Sequence, residues 1–125
     1  MAEPRYLLDS NIAIYILKGV APLAQARVEA SDLGSIVTSS VCLAEMLIGL
    51  LDREREALDR LLLQIDTLPF DEAAARRYAD LPFKRRSYDR LIGAHALSLG
   101  LTVVTANSGD FDDIPGLRVE NWTVA

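Results

Sequence analysis

The sequence predicts an α/β fold in which a central parallel β-sheet of four to five strands is flanked by helices. Short β-branched or apolar runs alternate along the chain with longer segments whose apolar residues recur at helical spacing. The first short run, at residues 6–8, is apolar without interruption, as in a strand covered on both faces. We expect 125 residues in this order to form one domain, spanning residues 1–125.

The first half of the chain contains two predicted strands, each followed by helical sequence. In chain order, the elements are a strand at 6–8, helices at 12–17 and 22–30, a strand at 35–38 and a helix at 41–50. Ser10 or Asn11 is expected to cap the first helix, and Gly19 ends it. Ser39 or Ser40 is expected to cap the third helix.

The second half of the chain has the same alternation. Its predicted elements are a helix at 52–65, a strand at 67–70, helices at 72–81 and 88–99, a strand at 101–105 and an edge strand at 117–120. Asp71 and Ser87 are the expected N-caps, Pro82 ends one helix, and Gly100 ends the next. Consecutive strands joined through helices favour right-handed crossovers in a parallel sheet.

The charge balance argues against a protein that coats nucleic acid electrostatically, because the net charge is −5 and the isoelectric point is near 4.8. Six of the 13 basic residues nevertheless fall within fifteen positions. They are Arg76, Arg77, Lys84, Arg85, Arg86 and Arg90. This cluster is either a solvated helix face with its connecting loop or a patch that contacts phosphate.

Hydropathy and the single cysteine indicate the compartment. No apolar run approaches the roughly 20 residues of a membrane span, and the N-terminal residues do not resemble a leader sequence. We therefore expect a cytoplasmic protein without membrane contact. Cys42 is the only cysteine, and its apolar neighbours Val41 and Leu43 suggest a small buried side chain.

Four acidic residues occupy strand ends or apolar helix faces, where a solvated charge is not expected. Asp9 ends the first strand, Glu45 lies within the apolar third helix, Asp89 is in the first turn of a later helix, and Asp110 follows the strand at 101–105. Since the carboxyl ends of parallel strands share one edge of the sheet, the four side chains are expected to face one crevice.

Carboxylates that lie close together repel one another, so their negative charge must be neutralised. Two of them about 5 Å apart repel by roughly 3 kcal/mol at an effective dielectric of 20. Because the ligands are all oxygens, a divalent ion such as Mg²⁺ or Mn²⁺ is favoured over zinc. Such an ion activates water and neutralises charge on a phosphodiester. Asn11, Thr105 and Asn107 lie near the same rim and are expected to orient the carboxylates or the phosphate.

Four segments of the sequence resemble the motifs of PIN-domain ribonucleases, and more closely those of VapC toxins from bacterial type II toxin–antitoxin pairs. The segments are YLLDSN at 6–11, SSVCLAE at 39–45, YDRLIGAHA at 88–96 and VTANSGDF at 104–111. The tail PGLRVENW at 115–122 is similar to that of the same group. The resemblance covers nearly the whole chain in order.

The resemblance implies a PIN-like endoribonuclease that depends on Mg²⁺ or Mn²⁺ and cleaves RNA, often tRNA or ribosomal RNA, to stop translation. It implies a cognate VapB-type antitoxin, a toxin homodimer within that complex, and DNA contact only through the antitoxin. By position, Asp9, Glu45 and Asp89 match the catalytic, metal-binding acids, and Asp110 matches the fourth. The basic residues Lys84, Arg85, Arg86 and Arg90 are possible RNA contacts.

Some assignments stay open. Asp112 and Asp113 compete with Asp110 for the fourth acidic position. Tyr88 stands where relatives often have Asn or Asp, which allows an alternative in which the chain is a catalytically degenerate, PIN-like protein-binding module. A phosphate-accepting Asp is disfavoured, because no second Asp follows Asp9 at the phosphatase spacing. His95 is expected to be a packed or surface residue, and Trp122 a core anchor.

Overall fold

The apolar and helical segments of the sequence form five strands and six α-helices in the computed structural model, which describes residues 2–82 and 86–124. The strands are β1 Tyr6–Leu8, β2 Ile36–Ser39, β3 Asp66–Leu68, β4 Thr102–Val104 and β5 Val119–Glu120. The α-helices are α1 Ser10–Leu17, α2 Pro22–Ala30, α3 Ser40–Gly49, α4 Arg55–Leu61, α5 Glu72–Ala79 and α6 Tyr88–Leu99. Two 3-10 turns span Asp52–Glu54 and Ser108–Phe111.

β1 is the central strand because its side chains are apolar on both faces of the sheet. Leu7 and Leu8 are fully buried, and Leu7 lies opposite Val37 of β2 and Val103 of β4. The strand order is β3-β2-β1-β4-β5, and all neighbouring strands are parallel. The predicted α/β class with a central parallel sheet is therefore confirmed.

The strand order creates a switch point beside β1. The chain runs outward from β1 to β2 and β3, and then returns to β4 on the other side of β1. Open α/β sheets bind ligands at the carboxyl ends of the two strands that flank such a point. Here those strands are β1 and β4, so the residues that follow Leu8 and Val104 are the candidate ligand-binding positions.

Three predicted helix ends are confirmed by their hydrogen bonds or backbone conformation. The Asp71 carboxylate accepts from the Ala74 amide at 3.0 Å, and the Ser87 hydroxyl accepts from the Arg90 amide at 3.2 Å. Gly100 ends α6 with φ of 68°, a conformation that glycine adopts without steric cost. Because Ser87 fixes the start of α6, Asp89 is held in the first turn of that helix.

The N-cap of α1 is Asp9, not Ser10 or Asn11. α1 begins at Ser10, whose amide donates to the Asp9 carboxylate at 2.8 Å. The predicted cap was wrong because aspartate caps helices as well as serine does, so sequence alone does not rank the three residues. At α3 the cap is Ser39, one of the two predicted residues, whose hydroxyl accepts from the Val41 amide at 3.1 Å.

The prediction of one continuous helix at 52–65 is wrong. A 3-10 turn at Asp52–Glu54 precedes α4, and the chain leaves helical geometry after Leu61. Leu58, Leu61 and Ile65 are buried as expected. The apolar spacing therefore indicates which side chains face the core, although the backbone that carries them is not one continuous helix. β3 ends at Leu68 instead of reaching residue 70, because Pro69 has no amide proton to donate to the sheet.

Within residues 2–82 and 86–124, none of the helices combines the length and the apolar character needed to cross a membrane.

Candidate active site

Asp9 lies at the carboxyl end of β1, directly at the switch point, and only 2% of its surface is exposed. Its backbone amide donates to the Val104 carbonyl at 2.8 Å, which ties it to β4. One carboxylate oxygen accepts from the Ser10 amide at 2.8 Å, and the other accepts from the Thr105 hydroxyl at 2.9 Å. Asp9 is thus held in place by donors from both flanking segments.

Glu45 approaches the same region from α3. It is half-buried, and its Oε1 accepts from the Ser10 hydroxyl at 3.0 Å. Ser10 therefore donates hydrogen bonds to two acids, from its amide to Asp9 and from its hydroxyl to Glu45. Sequence reasoning considered Ser10 only as a helix cap, because its contact with Glu45 joins residues 35 positions apart.

Asp89 and Asp110 both line a cleft of about 300 Å³. Asp89 comes from the first turn of α6, and Asp110 from the 3-10 turn that follows β4. Asp112 and Asp113 line the same cleft, and Asp113 forms an ion pair with Arg90. Asp110 and Asp112 are both exposed.

The four predicted acids influence one another electrostatically. Burial raises the pKa of Asp9 from 3.8 to about 6, and the charges of Glu45 and Asp110 add to that rise. The hydrogen bonds from Thr105 and Ser10 act in the opposite direction and lower the pKa of Asp9. Burial also raises the pKa of Glu45, with a further contribution from the charge of Asp89.

The chemistry of this site fits a hard divalent cation. In the described part of the chain, neither Asp9 nor Glu45 forms an ion pair with a lysine or arginine. Carboxylate oxygens are the ligands that Mg²⁺ and Mn²⁺ prefer. Among residues 2–82 and 86–124, no three acidic, histidine or cysteine side chains form a ready-made metal-binding group. Asp89 and Asp110 thus line the cleft, Asp9 and Glu45 are coupled to them through their charges, and the four acids supply the right donors without closing on one point.

Two of the three predicted orienting residues contact the site through their side chains. The Thr105 hydroxyl lies 2.9 Å from Asp9 Oδ2 and 3.1 Å from Asn11 Oδ1. The Asn11 Oδ1 atom also accepts from the Ala106 amide at 3.2 Å. Asn107 takes part through its backbone amide, which donates to the Thr105 hydroxyl at 3.1 Å. This network holds the segment after β4 against the start of α1.

Cys42 lies beside one of the four acids. It is fully buried, as predicted, but its sulfur is 4.0 Å from Asp9 Oδ1. Burial and the neighbouring charge of Asp9 raise the pKa of the Cys42 thiol, so the sulfur stays protonated and can donate weakly to that carboxylate.

His95 is packed, in agreement with the prediction. Its Nδ1 lies 2.8 Å from the Ser39 hydroxyl, and the Phe70 ring packs edge-on at 5.5 Å. Burial lowers the pKa of His95, which favours the neutral ring. The Ser39 hydroxyl already accepts from the Val41 amide, so its proton is available to Nδ1. His95 thus hydrogen-bonds to the residue that caps α3.

The basic cluster divides into residues with different surroundings. Lys84 and Arg85 lie outside the described residues, whereas Arg86 is exposed and remains a possible RNA contact. Arg90 is only 2% exposed and pairs with Asp113, so its side chain is not at the surface as that of Arg86 is, and its contact with RNA stays a prediction. The sequence left open a solvated face or a phosphate-contacting patch, whereas Arg90, in the first turn of α6, is buried.

A five-stranded parallel sheet with acidic side chains at its switch point and in a neighbouring cleft defines a class: α/β domains with a carboxylate-rich candidate active site. The PIN domain family matches residues 6–117 of the chain. A tRNA(fMet)-specific endonuclease VapC from Shigella flexneri is 31% identical over 131 residues, covering 95% of this chain and 98% of the relative. The chain belongs to the PIN-domain family and is related over nearly its full length to VapC ribonucleases.

Solved structures agree with this assignment. The DNA-bound VapBC structure from Salmonella typhimurium superimposes with a TM-score of 0.84 at 27% identity, covering 95% of this chain and 98% of that one. VapBC2 from Rickettsia felis, bound to a DNA fragment from its promoter, gives a TM-score of 0.76 at 26% identity, covering 94% and 98%.

Proposed function

We propose that this chain is a divalent-metal-dependent endoribonuclease toxin that cleaves RNA and thereby inhibits translation. The observation that carries the proposal is a set of four electrostatically coupled acids from separate elements near the switch point. Asp89 and Asp110 line one cleft, and Asp9 is buried without a basic partner in the described chain. The relation to VapC ribonucleases supports the choice of RNA over other phosphodiesters.

The proposed roles follow from burial and contacts. Asp9, Glu45, Asp89 and Asp110 would hold Mg²⁺ or Mn²⁺, which supplies an activated water and offsets charge on the scissile phosphate. Asp110 is preferred as the fourth acid because its charge acts on Asp9, whereas Asp113 is engaged by Arg90. Thr105 and Ser10 orient the carboxylates of Asp9 and Glu45 before any ligand binds.

The proposed substrate is a structured RNA, tRNA or ribosomal RNA, and initiator tRNA is the first to test. The relatives from Shigella flexneri and Salmonella typhimurium are both named tRNA(fMet)-specific endonucleases, at 31% and 29% identity. Exposed Arg86 stands just before α6, near enough in sequence to Asp89 to contact a phosphate beside the cleft.

The proposed partner is a cognate antitoxin that blocks the toxin, since the superimposed structures are of VapBC complexes. Apolar side chains exposed at the end of α3 support a protein partner on this chain. Ile48 is 86% exposed, and Leu47 and Leu51 are exposed beside it. DNA contact is expected only through the antitoxin, as the acidic balance of this chain does not favour DNA.

The test is cleavage of total cellular RNA and of initiator tRNA by the purified, partner-free chain. We expect cuts at one or a few sites with Mg²⁺ or Mn²⁺, and none when a chelator is present. Intact RNA under every condition, from protein shown to be folded by circular dichroism, would contradict the proposal. That outcome would favour the protein-binding module instead.

Removing the hydroxyl of Thr105 should weaken the site without unfolding it. In Thr105→Val the donor to Asp9 is lost while the shape is kept, so we expect cleavage to fall about 10- to 100-fold. The measurement is the cleavage rate as a function of Mn²⁺ concentration. Thr105→Ser keeps the hydroxyl and should retain most of the activity. Equal losses in the two variants would show that packing, not the hydrogen bond, matters at this position.

A further inference from the structure

Arg90 is a buried charge beside the proposed active site. It is in the first turn of α6, next to Asp89, and 2% of its surface is exposed. Its Nη1 donates to Asp113 Oδ2 at 2.8 Å. A buried guanidinium is costly unless it is paired, and the ion pair with Asp113 offsets part of that cost.

The partner of Arg90 lies on the segment that carries the fourth acid. Asp113 follows the 3-10 turn Ser108–Phe111, three residues after Asp110. Side chains on both sides of Asp113 anchor this segment, since Phe111 and Ile114 are buried. The ion pair therefore joins two backbone segments that line the same cleft, one bearing Asp89 and the other bearing Asp110.

We propose that the Arg90–Asp113 ion pair is a positioning device that sets the separation of Asp89 and Asp110 and so tunes the affinity of the site for its cation. The inference rests on the proposed function. Arg90 acts through its neighbours and does not touch the substrate. The pair also removes Asp113 from competition for the cation, which leaves Asp110 as the acid presented by this turn.

The matched variants are Asp113→Asn and Asp112→Asn. Both remove one charge from adjacent positions of the same cleft, but only the first weakens the contact with Arg90. Mn²⁺ binding, measured by electron paramagnetic resonance on the whole chain, should be about tenfold weaker in Asp113→Asn than in Asp112→Asn. Arg90→Met should show a similar loss. If Arg90→Met does not fold, the comparison of Mn²⁺ binding between Asp113→Asn and Asp112→Asn still tests the proposal.

A double-mutant cycle separates positioning from general stability. In an Asp110→Asn background the further loss from Asp113→Asn should disappear, because the ion pair would have no fourth acid to position. Equal Mn²⁺ affinities of Asp113→Asn and Asp112→Asn would overturn the inference, and so would a loss that persists in the Asp110→Asn background. A wild-type chain that binds no Mn²⁺ and cuts no RNA would instead overturn the proposed function, and this inference with it.

Discussion

Asp9→Asn is expected to lower the rate of RNA cleavage by at least about a thousandfold. Asp9 is the most buried of the four acids and stands at the switch point, between β1 and β4. A bound cation stabilises the transition state by several kcal/mol, and each 1.36 kcal/mol corresponds to a factor of ten in rate. The rate is measured with purified protein on the RNA that the wild-type chain cleaves, and growth arrest on expression should be lost in parallel.

The same substitution should make the metal-free protein more stable near neutral pH. Since the pKa of Asp9 is raised from 3.8 to about 6, the folded state binds the proton more tightly than the unfolded state. The stabilisation is present below about pH 4 and is lost as the pH rises through about 6. A shift of this size corresponds to about 3 kcal/mol, so we expect Asp9→Asn to gain about 1–3 kcal/mol at neutral pH.

The hydrogen bonds around position 9 survive this change. An amide keeps an oxygen for the Ser10 amide, and its nitrogen can donate to the Thr105 hydroxyl. The Thr105 proton then has Asn11 Oδ1 as an acceptor at 3.1 Å. The gain should therefore reflect removal of the buried charge, and it should shrink as the pH is lowered toward about 4.

Urea denaturation in chelator, at about pH 5 and about pH 7.5, measures the effect on stability. Asp80→Asn is a suitable control, because Asp80 is exposed and away from the cleft, and its stability should change by less than about 0.5 kcal/mol. Undiminished RNA cleavage by a folded Asp9→Asn protein would contradict the assigned role. A variant less stable than the wild type at neutral pH would show that the negative charge at position 9 stabilises the fold.

Local patterns in the sequence were sufficient to locate the strands and the acids. Asp9 and Asp110 follow apolar strands, and Glu45 interrupts an apolar helix, so each is visible without knowledge of the fold. The parallel order of the strands then brings these positions to one edge. Their mutual influence on pKa in the folded protein follows from that geometry.

Contacts between distant positions could not be predicted in the same way. The Arg90–Asp113 pair joins residues 23 positions apart, and Arg90 had the sequence context of a solvated residue. The break in the helix predicted at 52–65 was also invisible, because Leu58 and Ile65 are buried whether or not the backbone between them is helical. Sequence periodicity reports which side chains face the core, and it does not report the backbone path between them.

Trp122→Ala is expected to cost about 3–5 kcal/mol in the free energy of unfolding, a large part of the total for a domain of this size. Trp122 is 2% exposed and packs edge-on against Tyr6 of β1 with ring centroids 5.0 Å apart. Its ring nitrogen donates to the Glu120 carboxylate at 2.9 Å, and the Arg27 guanidinium lies 4.4 Å from its ring centroid. One side chain thus joins the first strand, the last strand and α2.

Trp122→Phe separates packing from hydrogen bonding, because phenylalanine keeps the ring contact with Tyr6 and loses the donor to Glu120. Glu120 retains Arg27 at 3.3 Å, so we expect this variant to lose only about 1–2 kcal/mol. Urea denaturation at 25 °C measures both values, and equal costs for Ala and Phe would show that the hydrogen bond dominates. The loss of stability at Trp122 should also affect the residues around Asp9, since the Thr105 amide donates to the Glu120 carbonyl at 3.0 Å. Loosening of the C-terminal segment should separate β5 from β4, and the Thr105 hydroxyl would then no longer be held against Asp9.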